Sequence, residues 1–255
     1  MTLTYTSSNG QTFNLRGDTI RTRTAAVNDY RWLPQIVSRQ YGAYVKQFNK
    51  NPLQFSILLD IAGSISDRME TLNELHEAFD HDILSMTPGR IHVGDYYLDC
   101  YITFSSTFYK RPWTQNEILV YAPYPFWQKD HVYQFSGRVS PTVPQYVTNP
   151  GAGSAEFILT IYGPVDSYND CFIWCDSRKI GCTTQLLEDD KVVINSREKT
   201  VTMITPTETI DAFTARLREG SIFERVKPGD SLIEWSGEMT FDMVICEERS
   251  EPLWT

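Results

Sequence analysis

The stretch from Asp67 to Trp127 decides the fold: it reads DRMETLNELHEAFDHDIL at 67–84, SMTPGR at 85–90, IHVGDYYLDCYITF at 91–104 and APYPFW at 122–127. Its apolar residues recur at the three- and four-residue spacing of one helix face, at Met69, Leu72, Leu75, Phe79 and Ile83. This spacing predicts a helix over 67–85, with Asp67 and Glu70 as a variant of the N-terminal capping box. Pro88-Gly89 is expected to end the helix.

Two apolar runs follow, at 91–93 and 96–104, joined by Gly94-Asp95. A two-residue connection with glycine first is typical of a type II′ turn. The sequence therefore predicts a β-hairpin directly after the helix.

Strand patterns dominate the remainder of the chain. Apolar and polar residues alternate strictly from Leu53 to Ile61, which predicts a strand with one buried face. Beyond residue 155, short apolar runs alternate with turn residues and no helical period appears, which favours a β-sandwich. The predicted fold class is mainly β with one α-helix.

The length and the Pro, Gly and Ser content predict two domains. A chain of 255 residues can bury two cores, and residues 128–153, including Gly151-Ala-Gly153, have the composition of a linker or domain entry. A domain boundary is expected within this segment. We therefore expect one domain over 1–130 and a second over 131–255.

Charge and cysteine content restrict the function. The net charge is −9, with 12 Lys+Arg against 13 Asp+Glu in residues 1–130 and 11 against 19 in residues 131–255. An acidic half does not attract nucleic acid, so specific nucleic-acid binding is not expected. We predict no signal peptide and no membrane span, and five cysteines favour a reducing compartment such as the cytoplasm.

Three groups of residues have side chains that are common in chemical sites, but their spacing or position argues against each site. His76 and His81 are five residues apart, about 140° around a helix, so they cannot face one metal ion. Cys171, Cys175 and Cys182 lack zinc-ligand spacing and a fourth ligand, which favours structural thiols. The acidic run 188–190, made of Glu188, Asp189 and Asp190, could suggest a glycoside hydrolase, but it lies where a turn is expected and predicts hydrated carboxylates. No catalytic, cofactor-binding or metal-binding residue is predicted, and no cofactor.

The segment from Asn28 to Lys50 is aromatic and basic without clear periodicity, which predicts an extended arm or loop. Such residues could form a platform for single-stranded nucleic acid, but aromatic side chains and arginine are more typical of protein interfaces. The candidate interface residues are Tyr30, Arg31, Trp32, Arg39, Tyr41 and Tyr44.

The order of these features resembles the distal tail proteins (Dit) of long-tailed, non-contractile bacteriophages and prophages. In the first half the resemblance rests on the helix, the hairpin, Asp29-Tyr-Arg-Trp32, Gly42 and Pro123-Tyr-Pro-Phe-Trp127. In the second half it rests on the runs 155–163, 227–233 and 249–254. It covers nearly the whole chain, although each motif is a turn or strand signature and none is a reactive site.

The resemblance implies an N-terminal β-sandwich with one helix and an extended arm, followed by a galectin-like β-sandwich. It implies a non-enzymatic virion protein at the distal tail end or baseplate, which forms a hexameric ring between the tail tube and the tail-tip complex. The expected partners are the tail tube protein, the tape measure protein and the tail-associated hub or receptor-binding protein, with DNA passing through the lumen. The alternative is a carbohydrate-binding module or receptor-binding adaptor, because a galectin-like sandwich can hold sugars.

Overall fold

The computed structural model describes residues 2–110, 112–138, 143–165 and 171–253. It consists mainly of β-strands, with one α-helix among the described residues, so the predicted fold class is confirmed. The chain divides into two compact units, Met1–Gln128 with Arg249–Thr255 (unit 1) and Lys129–Glu248 (unit 2).

Unit 1 contains two antiparallel sheets that share one long strand, and a separate two-stranded hairpin. Its elements are β1 (Leu3–Thr6), β2 (Thr12–Asn14), β3 (Ile20–Ala25), β4 (Trp32–Ser38), β5 (Ala43–Lys50), β6 (Leu53–Ile61), α1 (Ile65–Leu84), β7 (Gly89–Val93), β8 (Tyr96–Tyr109) and β9 (Thr114–Ala122). One sheet has the order β2-β1-β7-β8 and the other has the order β3-β6-β9-β8. Strand β8 joins both because its first residues pair with β7 and the rest pair with β9, with a bulge between Ile102 and Phe104.

The alternation from Leu53 to Ile61 places one face of β6 in the core of unit 1, as predicted. Leu53, Phe55, Ile57, Leu59 and Ile61 are all buried there. Burying a side chain of this size contributes roughly 1.5–3 kcal/mol. The pattern of β6 therefore determines which face of its sheet points inward.

Helix α1 begins two residues earlier than the predicted start, because a different residue caps it. The Ser64 hydroxyl accepts the Asp67 N–H at 3.2 Å, and the Asp67 carboxylate accepts the Ser64 N–H at 3.0 Å. This is a capping box with Asp67 at its third position, so the predicted pairing of Asp67 with Glu70 is wrong.

The buried face of α1 differs from the predicted stripe at its ends. Leu72, Leu75 and Phe79 are buried, as predicted, but Met69 and Ile83 are 38% and 39% exposed. Two charged residues take the inward positions at the ends, Arg68 and Asp82. Each is satisfied by groups distant in sequence: the Arg68 guanidinium, for example, donates to the carbonyl of Pro112 at 3.1 Å.

The helix ends at Leu84, within one residue of the predicted end and just before Pro88-Gly89. Ser85 is the C-cap and Met86 adopts a left-handed φ of 55°. Gly89 is the first residue of β7, where a Cβ atom would overlap the Asp82 carboxylate and lie 2.7 Å from the Tyr5 hydroxyl. Glycine is therefore required by the close approach of β7 to the end of α1.

The hairpin predicted after the helix is confirmed. Val93 pairs with Tyr96 across the two-residue connection Gly94-Asp95. Gly94 has a φ of +59°, and Asp95 keeps a negative φ. A type I′ turn needs positive φ at both positions, so this combination is the predicted type II′ turn.

Unit 2 also consists of two antiparallel sheets around one core. Its elements are β10 (Trp127–Phe135, begun in unit 1), β11 (Gln145–Asn149), β12 (Glu156–Tyr162), β13 (Phe172–Cys175), β14 (Arg178–Gly181), β15 (Lys191–Asn195), β16 (Thr200–Ile204), β17 (Thr209–Asp211), a 3-10 helix (Phe213–Ala215), β18 (Gly229–Trp235) and β19 (Thr240–Arg249). The sheet orders are β17-β16-β15-β12-β19-β10 and β11-β18-β13-β14.

Strands β10 and β11 lie in the segment 128–153, which the composition predicts to be a linker or domain entry. Phe135 on β10 and Val147 on β11 are buried in the core of unit 2. The ring of Phe135 lies 4.8 Å from that of Phe241, centroid to centroid. The Pro and Gly residues of the segment thus flank short strands that contribute to a folded unit.

Candidate assembly surface

Strands β4 and β5 form a hairpin that pairs with no other strand in the described part of the chain. We call this hairpin the arm. It replaces the predicted extended arm or loop with regular structure, closed by a turn in which the Arg39 N–H donates to the Gly42 carbonyl at 2.9 Å. Gly42 has a φ of +75°, which glycine adopts without strain.

Both faces of the arm are exposed. Nearly every residue of β4 and β5 is exposed, including Tyr41 at the tip, which is 87% exposed. The large apolar side chains exposed along the arm and its base are Tyr30, Trp32, Ile36, Val37, Tyr41, Tyr44, Val45 and Phe48. Isolated two-stranded hairpins are marginally stable in water, and clustered exposed apolar side chains mark interaction sites. The arm therefore has the composition of a surface that another molecule covers.

Aromatic rings surround a lysine at the base of the arm. The Lys50 ammonium nitrogen lies 4.3 Å from the ring centroid of Phe126, 5.4 Å from that of Tyr30 and 5.5 Å from that of Trp32. The rings of Trp32 and Phe126 are themselves 6.0 Å apart. Because ring faces attract cations, these contacts attach the arm to the APYPFW segment that precedes β10.

The Lys50 ammonium is buried and has no hydrogen-bond partner among the described residues. Burial lowers the pKa of Lys50 to about 8. The attraction of the three rings for a cation acts in the opposite direction, since it favours the charged form. Among the described residues, the contacts of the Lys50 ammonium are therefore those with the three aromatic rings.

A surface cavity of about 590 Å³ lies beside this base. Tyr30, Arg31 and Lys50 line it from the arm, and Pro52 to Gln54 line it from the start of β6. The cavity leaves room for side chains of another molecule next to the aromatic cluster.

The six candidate interface residues do not form one cluster. Tyr30, Arg31 and Trp32 lie at the base of the arm, whereas Arg39 and Tyr41 lie in the turn and Tyr44 lies near it. At the tip, the Arg39 guanidinium stacks 4.4 Å from the Tyr44 ring centroid. The strands between span about seven residues, or roughly 23 Å.

Several exposed residues of the arm and its base are not among the six candidate interface residues. Ile36, Val37 and Val45 are exposed on the arm, and Lys50 with Phe126 completes the base. One signal in the sequence was available: residues 30–59 contain four cations, Arg31, Arg39, Lys46 and Lys50, and no acidic residue.

The solvent face of α1 carries the opposite charge. Its exposed acidic residues follow one another at spacings of three or four, at Asp67, Glu70, Glu74, Glu77 and Asp80. The exposed apolar side chains Ile65 and Met69 border this acidic face, and together with Tyr109 they line a shallow cavity of about 190 Å³. Unit 1 therefore presents a basic apolar arm and an acidic helix face with an apolar margin.

No protein-family model matches the sequence, and no curated protein matches it either. Among solved structures, the chain is similar to the Dit protein of phage SPP1, described as a paradigm of the hub adsorption apparatus in phages infecting Gram-positive bacteria. The TM-score is 0.68 at 10% identity, over 97% of this chain and 99% of the SPP1 chain. The chain has the Dit fold.

A second similarity supports the same fold. A chain of the phage P2 baseplate in its activated conformation, solved with calcium and with strontium, gives a TM-score of 0.67 at 12% identity in both cases. The alignment covers 98% of this chain and 99% of the baseplate chain. The resemblance to Dit found in the sequence is thus confirmed for the fold over nearly the whole chain.

Within the Dit fold, the two histidines of α1 contact different partners. His76 Nε2 lies 2.9 Å from the Ser105 hydroxyl, and His81 Nδ1 lies 3.1 Å from the Ser8 hydroxyl. In the described residues, no group of three or more His, Cys, Asp or Glu side chains is arranged to hold a metal ion. No described helix is both long enough and apolar enough to cross a lipid bilayer.

The acidic run 188–190 forms the predicted turn, but one of its carboxylates is not hydrated. Glu188 and Asp189 are exposed, whereas Asp190 is only 6% exposed. The Asp190 carboxylate accepts the Leu187 N–H at 2.9 Å, and its backbone carbonyl accepts the Gly163 N–H at 2.8 Å. Asp190 is therefore a structural residue of the Dit fold, which corrects the prediction of three hydrated carboxylates.

In unit 2, the aromatic pair on β13 has one ring in contact with a cation. Phe172 and Trp174 meet edge to face with centroids 4.7 Å apart, and the Lys179 ammonium lies 5.0 Å from the Phe172 centroid. Sugar-binding sandwiches stack a ring against the sugar face, and here the Phe172 ring is already in contact with a cation.

Proposed function

We propose that this chain is a structural, non-enzymatic protein of the distal tail of a long-tailed, non-contractile phage. In this proposal six copies form a ring that connects the tail tube to the tail-tip complex. The Dit fold supports the class of protein. The observation that carries the ring is the arm, because a hairpin exposed on both faces with large apolar side chains requires a covering partner.

The partner that fits the arm best is a second copy of the same chain. The arm carries the exposed cations Arg39 and Lys46, with Arg31 exposed at its base, and no acidic residue occurs from 30 to 50. The solvent face of α1 carries five carboxylates beside an apolar margin. Contact between two different patches of identical subunits is heterologous, and such contacts close into rings when the rotation between subunits permits. We propose that the arm of each subunit lies against α1 of the next.

The remaining partners follow from this role. The tail tube protein and the tape measure protein are proposed on one side of the ring, and the tail-associated hub or receptor-binding protein on the other. Residues 131–255 carry a net charge of 11 − 19 = −8, so DNA could pass their surface without binding. The protein is proposed to be made in the host cytoplasm and to act in the virion.

Light scattering after size exclusion tests the ring. Across a concentration series we expect a species of six chain masses, whose fraction falls as salt rises because the contact pairs opposite charges. A strict monomer at every concentration, also with the tail tube protein present, would exclude the ring.

Charge reversal tests the proposed contact. Arg39→Glu with Lys46→Glu should weaken assembly at least tenfold, and adding Glu74→Lys with Glu77→Lys should restore part of the loss, as coupled sites do. Glu198→Lys with Glu208→Lys, exposed in unit 2, is the matched control and should leave assembly unchanged. Loss of assembly without any restoration would show that the arm binds another surface.

A further inference from the structure

We propose that Cys171 and Cys182 are a site of reversible oxidation, at which the paired thiols are converted to a disulfide within unit 2. Their sulfur atoms lie 3.6 Å apart, and both side chains are fully buried. The other three cysteines, Cys100, Cys175 and Cys246, are also buried and form no disulfide. The spacing of residues 171 and 182 matches no metal-binding or redox motif, so this pair is not predictable from sequence.

The register of β13 and β14 brings the two cysteines together. Phe172 pairs with Gly181, so the residues one step further out, Cys171 and Cys182, lie opposite each other, and the Cys182 N–H donates to the Cys171 carbonyl at 3.0 Å. A Cβ atom on Gly181 would overlap that carbonyl, so glycine permits the close approach. The turn residues Asp176 and Ser177 both have positive φ, as a type I′ turn requires, which fixes the register.

This geometry suits a disulfide. Residues directly opposite in an antiparallel pair have Cα atoms roughly 4.5–5.5 Å apart. Disulfides span Cα distances of about 4.4–6.8 Å, with the sulfur atoms about 2.05 Å apart. The two sulfurs must therefore approach by about 1.5 Å, which side-chain rotation can supply without separating the strands.

The pair is also polarised for reaction. The hydrogen bond from the Cys171 thiol lowers the pKa of Cys182 to about 7, although burial opposes this, and the same hydrogen bond with burial raises the pKa of Cys171. The thiolate is the nucleophilic form of cysteine. In this proposal Cys182 is the attacking sulfur and Cys171 the resolving one. Cys175 differs, since burial raises the pKa of its thiol.

The oxidant in this proposal is hydrogen peroxide, which is small enough to reach a buried sulfur. The Cys182 thiolate attacks one peroxide oxygen, the O–O bond breaks, and a sulfenic acid and hydroxide form. The Cys171 sulfur then attacks the Cys182 sulfur and displaces the hydroxyl group, which leaves as water with the Cys171 proton; the hydroxide takes up a proton from solvent. In sum, two thiols and one peroxide give one disulfide and two waters.

The timing of this oxidation rests on the proposed function. A tail protein assembles in the reducing cytoplasm and acts after release outside the cell, where disulfides persist. Until release the pair remains reduced and does not interfere with folding. After release the disulfide would close the ten residues between the two cysteines and join the ends of β13 and β14 covalently.

Peptide mapping of the full chain tests the proposal. After peroxide treatment and alkylation without reductant, we expect a mass loss of about 2 Da and a cross-linked peptide that joins Cys171 to Cys182. Cys171→Ser and Cys182→Ser should abolish the loss, whereas Cys175→Ser, the matched control on the same hairpin, should retain it. The oxidised chain should melt on the order of 5 °C higher, reversibly with reductant.

Several outcomes would overturn the proposal. These are a cross-link from Cys171 or Cys182 to another cysteine, oxidation of either residue that stops at sulfinic acid, or alkylation of both Cys171 and Cys182 after peroxide treatment. Wild-type peptide mapping decides the matter if a serine variant does not fold. Because this assay uses the isolated chain and does not depend on oligomeric state, its failure is distinguishable from failure of the ring, which light scattering reports separately.

Discussion

The Tyr5 hydroxyl donates a hydrogen bond to the Asp82 carboxylate, joining β1 to the end of α1 across 77 positions of sequence. The same carboxylate accepts the Ser7 and Ser8 hydroxyls and the Ser8 N–H, each at 2.7 Å, and it is completely buried. Burial raises the pKa of the Asp82 carboxyl, but these hydrogen bonds outweigh it and hold the pKa below its ordinary value. The charge of Asp82 is thus part of the fold.

Asp82→Asn should destabilise the protein by about 2–3 kcal/mol at pH 7, because an amide cannot accept all of these donors. A carboxyl with a lowered folded pKa stabilises the protein above its unfolded pKa of about 3.9 and loses this effect as the pH falls through the folded value. The difference in the free energy of unfolding between wild type and Asp82→Asn should therefore become smaller below about pH 4. Urea unfolding at pH 7 and pH 3 measures it, and Asp80→Asn, exposed on the same helix, is the control. An equal gap at both pH values would contradict the assignment.

Phe79→Ala should cost about 3–5 kcal/mol of stability, as large-to-small core changes do. The Phe79 ring is buried and meets the Tyr5 ring edge-on, with centroids 5.1 Å apart. Met69→Ala, on the exposed margin of α1, should cost less than about 1 kcal/mol. Thermal unfolding of both variants makes the comparison, and equal losses would place Met69 in the core.

The acidic run 188–190 should divide into two exposed residues and one structural residue. Glu188→Gln with Asp189→Asn should change stability by less than about 0.5 kcal/mol, since both are exposed and asparagine tolerates the positive φ of Asp189. Asp190→Ala should cost about 1–2 kcal/mol because the Leu187 N–H loses the acceptor that the buried Asp190 carboxylate provides. Chemical denaturation separates the two cases. If Asp190→Ala left the free energy of unfolding unchanged, the structural role of Asp190 would be wrong.

Lys50→Met should reveal the cost of burying an ammonium. With the pKa of Lys50 lowered to about 8 in the folded state, the folded chain binds fewer protons than the unfolded chain between about pH 8 and pH 10. The contribution of Lys50 to wild-type stability therefore rises with pH over this range. The advantage of Lys50→Met over wild type should be greatest below pH 8 and shrink toward pH 10. Lys46→Met, exposed on the same strand, should show no such trend. If the stability of wild type and Lys50→Met changed with pH in parallel, the aromatic rings would offset the effect of burial on the pKa of Lys50.

How much the sequence predicts depends on whether the partners of a residue are local. Leu72, Leu75 and Phe79 follow from helical period alone, and the II′ turn follows from Gly94. Asp82 could not be identified as buried, because its partners at residues 5, 7 and 8 meet it only in the folded state. The same holds for Cys171 and Cys182, which depend on a strand register.

The arm escaped prediction as a hairpin for a different reason. Strand patterns alternate when one face is buried and the other faces water, and here both faces of β4 and β5 are exposed. No alternation therefore arises, and only composition marks the segment. The exposed aromatic and basic residues of this segment can be predicted as a set, but their division between the base and the tip requires coordinates.

The charge of the arm also has a consequence for free subunits. A hairpin has two open edges, and open edges invite pairing between chains and aggregation. All four charges on residues 30–50 are positive, so two arms that approach edge to edge repel one another. If the arm binds an acidic surface as proposed, the same cations would disfavour contacts between the arms of two free copies.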